Sequence, residues 1–111
     1  MDNSLKESLD HANKMKVFNN QLRLLKEKYL ERNIYFTIGH KFTIDLKLIN
    51  YCVTLKNQDK TKDVVMLDDY DLPVRIADLE SFYTDILDLY QQNLNAYIVE
   101  YNKLVQDKGR I

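Results

Sequence analysis

The sequence has no tryptophan, one proline, two glycines and one cysteine. With so few residues that force or punctuate turns, most of the chain must lie in a small number of long regular elements, which favours helices. Two glycines cannot build a phosphate-cradling loop, a paired-glycine dinucleotide fingerprint or a nucleophile elbow. Cys52 is alone, so an intrachain disulfide is excluded and a reducing compartment is the simpler expectation. No run approaches the roughly 18 apolar residues of a membrane span, and the opening MDNSLKESLDHANK has no apolar core of a secretion signal. A cytoplasmic protein with no membrane partner is expected.

A strong charge of one sign is missing too. The net charge is −1, well short of the basic field that neutralising nucleic-acid phosphates requires, so no nucleic-acid partner is expected. The charge is unevenly spread, however. Residues 1–32 carry seven basic and five acidic side chains, and residues 77–111 carry three basic and six acidic, so the two ends should attract each other. At 111 residues, 45% hydrophobic and 30% charged, the chain is a single folded domain over residues 1–111 rather than a disordered tail. A chain of this size buries about 60–70% of its unfolded surface, so its core is thin.

Two helical stripes stand out. Leu5, Leu9, Ala12, Met15, Phe18, Leu22, Leu25 and Tyr29 recur every three or four residues between Ser4 and Arg32. Leu79, Tyr83, Ile86, Tyr90, Leu94, Tyr97, Tyr101 and Leu104 repeat at about 3.6 residues, with Ala77 or Asp78 at the start and Gly109 at the stop. Between them, Ile34, Phe36 and Ile38 alternate with Tyr35 and Thr37, and Phe42 and Ile44 resume after Gly39. Keeping both apolar rows on one face of a hairpin requires a three-residue loop, Gly39–Lys41, which pairs Ile38 with Phe42. A second hairpin is expected from Val64–Leu67, a polar turn Asp68–Asp71, and Leu72, Val74 and Ile76, with Pro73 marking an edge strand. The segment Ile44–Lys56 fits a strand through Ile44, Leu46 and Leu48 and a helix through Ile44, Leu48, Cys52 and Leu55. A short helix with Thr43 as N-cap is preferred.

The run VVMLDDYDLPVRIADLESF followed by LYQQNLNAYIVEY, from Val64 to Tyr101, resembles a group of small uncharacterised proteins of tailed phages that infect marine bacteria. The resemblance covers roughly the last half of the chain. It implies a phage origin, and with it the cytoplasm of the host cell, but brings no known activity and no catalytic residues.

Candidate chemistry is sparse. Asp68, Asp69 and Asp71 lack the further oxygen ligand and glycine of a calcium loop, where Pro73 and Val74 stand, so a solvated turn and no metal are expected. His11 and His40 have no partner at ligand spacing and read as surface residues. Cys52 lies in an apolar stretch without a close cation, the setting of a packed rather than a nucleophilic thiol. No catalytic residue, cofactor or enzyme activity is expected. Tyr83, Tyr90 and Tyr97, spaced by seven, form one ridge on the last helix. Each phenol buries a large ring yet needs a partner for its hydroxyl, which suits a half-wet boundary: the packing against the first helix, or an interface with another protein. Tyr83, Tyr90, Gln91, Leu94, Tyr97 and Tyr101 are therefore the candidate interface.

These elements predict an α+β fold with two long amphipathic helices packed antiparallel and flanking a small antiparallel β region of one or two hairpins, with a short middle helix. The prefoldin-like chaperones share this order of elements, though with relatively longer helices, as an analogy of shape alone. The functional expectation is a non-enzymatic phage protein acting through protein contacts, a self-associating homodimeric assembly or accessory factor. The alternative is a small regulator that binds and inhibits or redirects a host enzyme.

Overall fold

The stripe from Leu5 to Tyr29 winds into one unbroken helix, α1 (Asn3–Arg32), in the computed structural model of the chain, which describes residues 3–109. Strands β1 (Ile34–Thr37) and β2 (His40–Thr43), helix α2 (Leu46–Asn57), strands β3 (Lys62–Leu67) and β4 (Pro73–Asp78), and helix α3 (Leu79–Gly109) follow. The fold is α+β, with the two long helices flanking two separate two-stranded antiparallel sheets. The molecule is a rod, 71 Å long and 24 by 20 Å across. α1 and the C-terminal part of α3 form an antiparallel stalk, in which Arg32 meets Asn93 and Phe18 shares a groove with Leu104. The hairpins, α2 and the first turns of α3 form a head.

The core belongs to the head. Phe42, Ile44, Ile49, Cys52, Met66, Val74, Ile76, Leu79, Phe82 and Ile86 are buried in one cluster, and Phe82 packs edge to face on both Phe42 and Tyr35. Alternation along β4 explains its share: Val74 and Ile76 point inward while Pro73 and Arg75 stay exposed. Lys62 to Leu67 pair with Asp78 to Pro73, which leaves Pro73 at the edge position expected of a residue that cannot donate to the ladder. α3 then starts directly from β4, the Asp78 carboxylate accepting from the amides of Glu80 and Ser81. The stalk is thinner. Leu25 is the one fully buried side chain of α1 among the described residues, and Leu5 and Leu9 are both 51% exposed.

Three local expectations are corrected. The first hairpin closes through a two-residue turn, Ile38-Gly39, that pairs Thr37 with His40 and Tyr35 with Phe42, not through Gly39–Lys41. Phe42 thus pairs with residue 35 instead of 38, and a shift by an odd number of residues exchanges the faces of a strand. Tyr35 therefore faces the core, while Phe36 and Ile38 are 69% and 73% exposed. The turn requires positive φ at both central residues, and Ile38 and Gly39 have φ of 53° and 76°. The N-cap of α2 is Asp45, whose carboxylate accepts from the Leu48 amide at 2.8 Å, and Thr43 instead bonds Asp69. Finally, Asp68 is not a solvated turn residue but is buried, and His40, only half-buried, is its partner.

A β-branched side chain in the left-handed region costs about 1–2 kcal/mol, and Asn-Gly is the favoured pair for this turn. Ile38→Asn should therefore raise stability by about 1 kcal/mol, read as a higher urea midpoint with an unchanged slope. An unchanged or lowered midpoint would contradict the positive-φ turn at position 38.

Candidate protein interface

Seven-residue spacing places Tyr83, Tyr90 and Tyr97 along one side of α3, where the first meets α2 and the other two meet α1. Near the head, the Lys56 ammonium of α2 lies 4.4 Å from the centre of the Tyr83 ring, a cation–π contact. Tyr90 stands beside Tyr29 of α1; burial first, then the hydrogen bond with Tyr29, raise its pKa. Tyr97 packs edge to face on the same Tyr29, with ring centres 4.7 Å apart. All three are half-buried, as a ring with a hydroxyl to satisfy should be. Gln91 is exposed, Leu94 is half-buried and Tyr101 is 39% exposed. The ridge thus joins α3 to α1 and α2, and the residues one position further round the helix are the ones left to face outward.

Those residues form a stripe of their own. Leu94, Ile98 and Tyr101 line a groove of about 600 Å³ whose other wall is Leu22 and the stem of Lys26 from α1, and Val105 continues the stripe by one turn. Ile98, Tyr101 and Val105 are all exposed. The signal for this second stripe is the 94, 98, 101, 105 spacing, but the apolar stripe from Leu79 to Leu104 overlaps it at Leu94 and Tyr101 and masks it. Where the stalk meets the head, Glu100 accepts from Lys28 at 3.1 Å and from Arg32 at 3.4 Å, so the opposite charges of the two ends do meet. The Lys28 bond is the leading reason that the Glu100 carboxyl titrates below its ordinary range.

Two polar junctions hold the head in place. The Asn93 side-chain nitrogen donates to the Arg32 carbonyl and to the Asn33 side-chain oxygen, both at 2.8 Å, and the Asn33 carbonyl in turn accepts from the Ile44 amide. One buried amide on α3 thereby satisfies the end of α1 and fixes the segment that leads into the first hairpin. The second junction is the β3–β4 turn. Asp68 accepts from the amides of Tyr70 and Leu72, and its other oxygen lies 2.7 Å from His40 Nδ1. The His40 bond, first among the causes, holds the Asp68 carboxyl below the usual carboxylate range. Asp68 is thus an ionised acceptor, and Nδ1 of His40 carries the hydrogen. Asp69 binds the amide and hydroxyl of Thr43 through its carboxylate, and its own amide donates to the Lys41 carbonyl. The carboxylates of Asp68 and Asp69 are turned to separate partners, each stitching the second hairpin onto the first.

Among the described residues, no helix is long and apolar enough to cross a membrane. No family model, curated protein or solved structure matches the chain.

Three outcomes follow from these contacts. Asn93→Ala strands the Arg32 carbonyl and the Asn33 amide, which should cost about 1–3 kcal/mol in chemical denaturation. Asp68 has a folded pKa below its unfolded value of about 4, so its contribution is complete above that value and is lost as pH falls through the folded one. The urea midpoint should hold steady down to about pH 4 and then fall, and Asp68→Asn should weaken the fall. The Cys52 thiol, fully buried with its pKa pushed up to about 11 by desolvation, should react with an aromatic disulfide reagent only on unfolding. Rapid labelling of the native protein would contradict the packed core.

Proposed function

We propose that this is a non-enzymatic protein that works by self-association through its stalk, as an assembly or accessory factor. The observation that carries this reading is the second stripe, in which Ile98, Tyr101 and Val105 are exposed beside half-buried Leu94 and Leu22 along a stalk only two helices thick. Two helices bury one seam between them, and an apolar flank left beside it asks for another layer of helix. A second copy supplies that layer.

Charge selects the arrangement of such a dimer. α1 carries seven basic and four acidic side chains, whereas the stalk part of α3, from Asn93 on, carries two of each. A two-fold dimer that lays α1 of one copy over α3 of the other avoids setting two basic helices against each other, as an α1-on-α1 arrangement would. The interface then centres on Ile98 and Tyr101, with Leu94 and Leu22 at its floor. Tyr83 and Tyr90 act from within the chain, by holding α3 against α2 and α1. The resemblance of the C-terminal half to small phage proteins supports an origin in which such an accessory factor acts inside an infected cell.

Light scattering across a dilution series should give twice the 13.3 kDa chain mass at high concentration. Ile98→Glu, at an exposed site, should give the monomer mass at every concentration with unchanged helical circular dichroism. Tyr101→Ala should weaken the dimer by tenfold or more, on the order of 1.4 kcal/mol or above, as a central aromatic contact does. A wild-type monomer at all concentrations would refute self-association and favour the alternative, a monomeric regulator that offers this flank to a host enzyme.

A further inference from the structure

The four strands differ in how their outer edges are protected. β4 carries Pro73 and Arg75, two residues that discourage strand addition. The outer side of β2 is taken by Asp69, through its amide and its carboxylate. β1 and β2 are only four residues long. β3 is paired on one side only and, beyond Lys62 and the irregular Asp63 with its φ of 51°, contains the run Val64–Leu67 with neither charge nor proline. An edge of this kind is a template for another strand.

Beside that edge lies a trough walled by α2. It consists of two adjoining hollows of about 510 Å³ each, which meet at Tyr51 of α2 and Val65 of β3. Val65, Leu67 and Tyr51 are about half exposed, at 49%, 58% and 44%. A strand edge facing a helix across a trough with apolar side chains at its middle is the geometry by which extended peptides add to a sheet, with backbone bonds giving affinity and side-chain pockets giving selection. The trough is also polar in charge along its length. At the β3–β4 turn it is lined by Asp45, Asp69 and Asp71 against the single cation Lys47, whereas at the other end Asp59 and Asp63 balance Lys60 and Lys62.

We propose that the trough between α2 and the free edge of β3 receives an extended peptide segment of another protein as a third strand. The peptide has apolar side chains against Tyr51, Val65 and Leu67, and a lysine or arginine over Asp45, Asp69 and Asp71. A second copy of this chain fits less well, because its own β3 brings another α2 up to the same edge, whereas a lone strand has nothing behind it. The head thus holds a binding site separate from the stalk, and a dimer formed through the stalks presents two such sites.

The test is selection of a yeast-displayed library of random nine-residue peptides on the full chain, followed by hydrogen exchange of the chain with the selected peptide. The expected result is a consensus of alternating apolar residues with a basic residue near one end, and slowed exchange of the β3 amides on binding. Tyr51→Arg, an exposed change on α2, should weaken binding at least tenfold. Asp71→Asn, which keeps a residue tolerant of its positive φ, should weaken it by up to about fivefold. Ile98→Glu on the stalk should leave it unchanged. The proposal is overturned by selection without a consensus, by a consensus lacking a basic residue, or by unaltered affinity of Tyr51→Arg. Exchange of β3 that is already slowed by raising protein concentration without peptide would overturn it as well, in favour of a second copy at this edge.

Discussion

Asn93 stands on α3 at the level where the stalk becomes the head, and its side-chain amide is committed to two oxygens at once, the Arg32 carbonyl and the Asn33 side chain. A helix end buried against another element needs partners for its last carbonyls. Here the partner comes from the opposite helix rather than from a capping glycine. The same contact positions Asn33, whose carbonyl holds the Ile44 amide at 2.7 Å and so sets where the first hairpin leaves the stalk and where its chain returns. The direction of α1, the root of β1 and β2 and the register of α3 against α1 all pass through this one buried amide.

α3 can serve both halves of the molecule because it is long. Its first turns bury Leu79, Phe82 and Ile86 in the head core, and its later turns set Tyr97 and Glu100 against α1. The price of that economy in a chain of 111 residues is a stalk with a single buried α1 side chain, Leu25, and apolar flanks left over. The contacts we propose with other molecules lie where packing is incomplete: along the stalk for a second copy, and at the β3 edge for an extended segment. The two places differ in physics. The stalk offers apolar side-chain surface, while the edge offers backbone groups and a trough with an acidic end.

Turn chemistry and buried polar partners explain the points at which local reading fails. Ile34, Phe36 and Ile38 form an apolar row that looks like the inner face of a strand, yet Tyr35 takes that face because its ring packs on Phe82 and its hydroxyl, at 3.0 Å, reaches Asp85. Nothing near Tyr35 in the chain announces Asp85, fifty residues away. Asp68 likewise reads as a solvent-facing turn residue beside two other aspartates, and it is buried only because His40 and two turn amides satisfy it. The candidate interface was legible in part. The spacing of Tyr83, Tyr90 and Tyr97 marks the face of α3 that touches α1 and α2, but the open face one residue further round could be identified only once those partners were in place.

Periodicity alone determined the two long helices, the two hairpin segments and the α+β class, because a stripe at 3.6 residues or an alternation at two is a local property of the chain. The burial of Cys52 followed from the same kind of reading, since its neighbours are apolar on both sides. Tertiary structure decided the turn at Ile38-Gly39, the cap at Asp45, the faces of β1, and which apolar side chains remain outside. The faces of β1 and the loss of Thr43 as a cap depend on partners distant in sequence: Phe82 for Tyr35 and Asp69 for Thr43. A pattern records which side of an element is apolar, but a face is buried or left open according to what the rest of the chain lays against it.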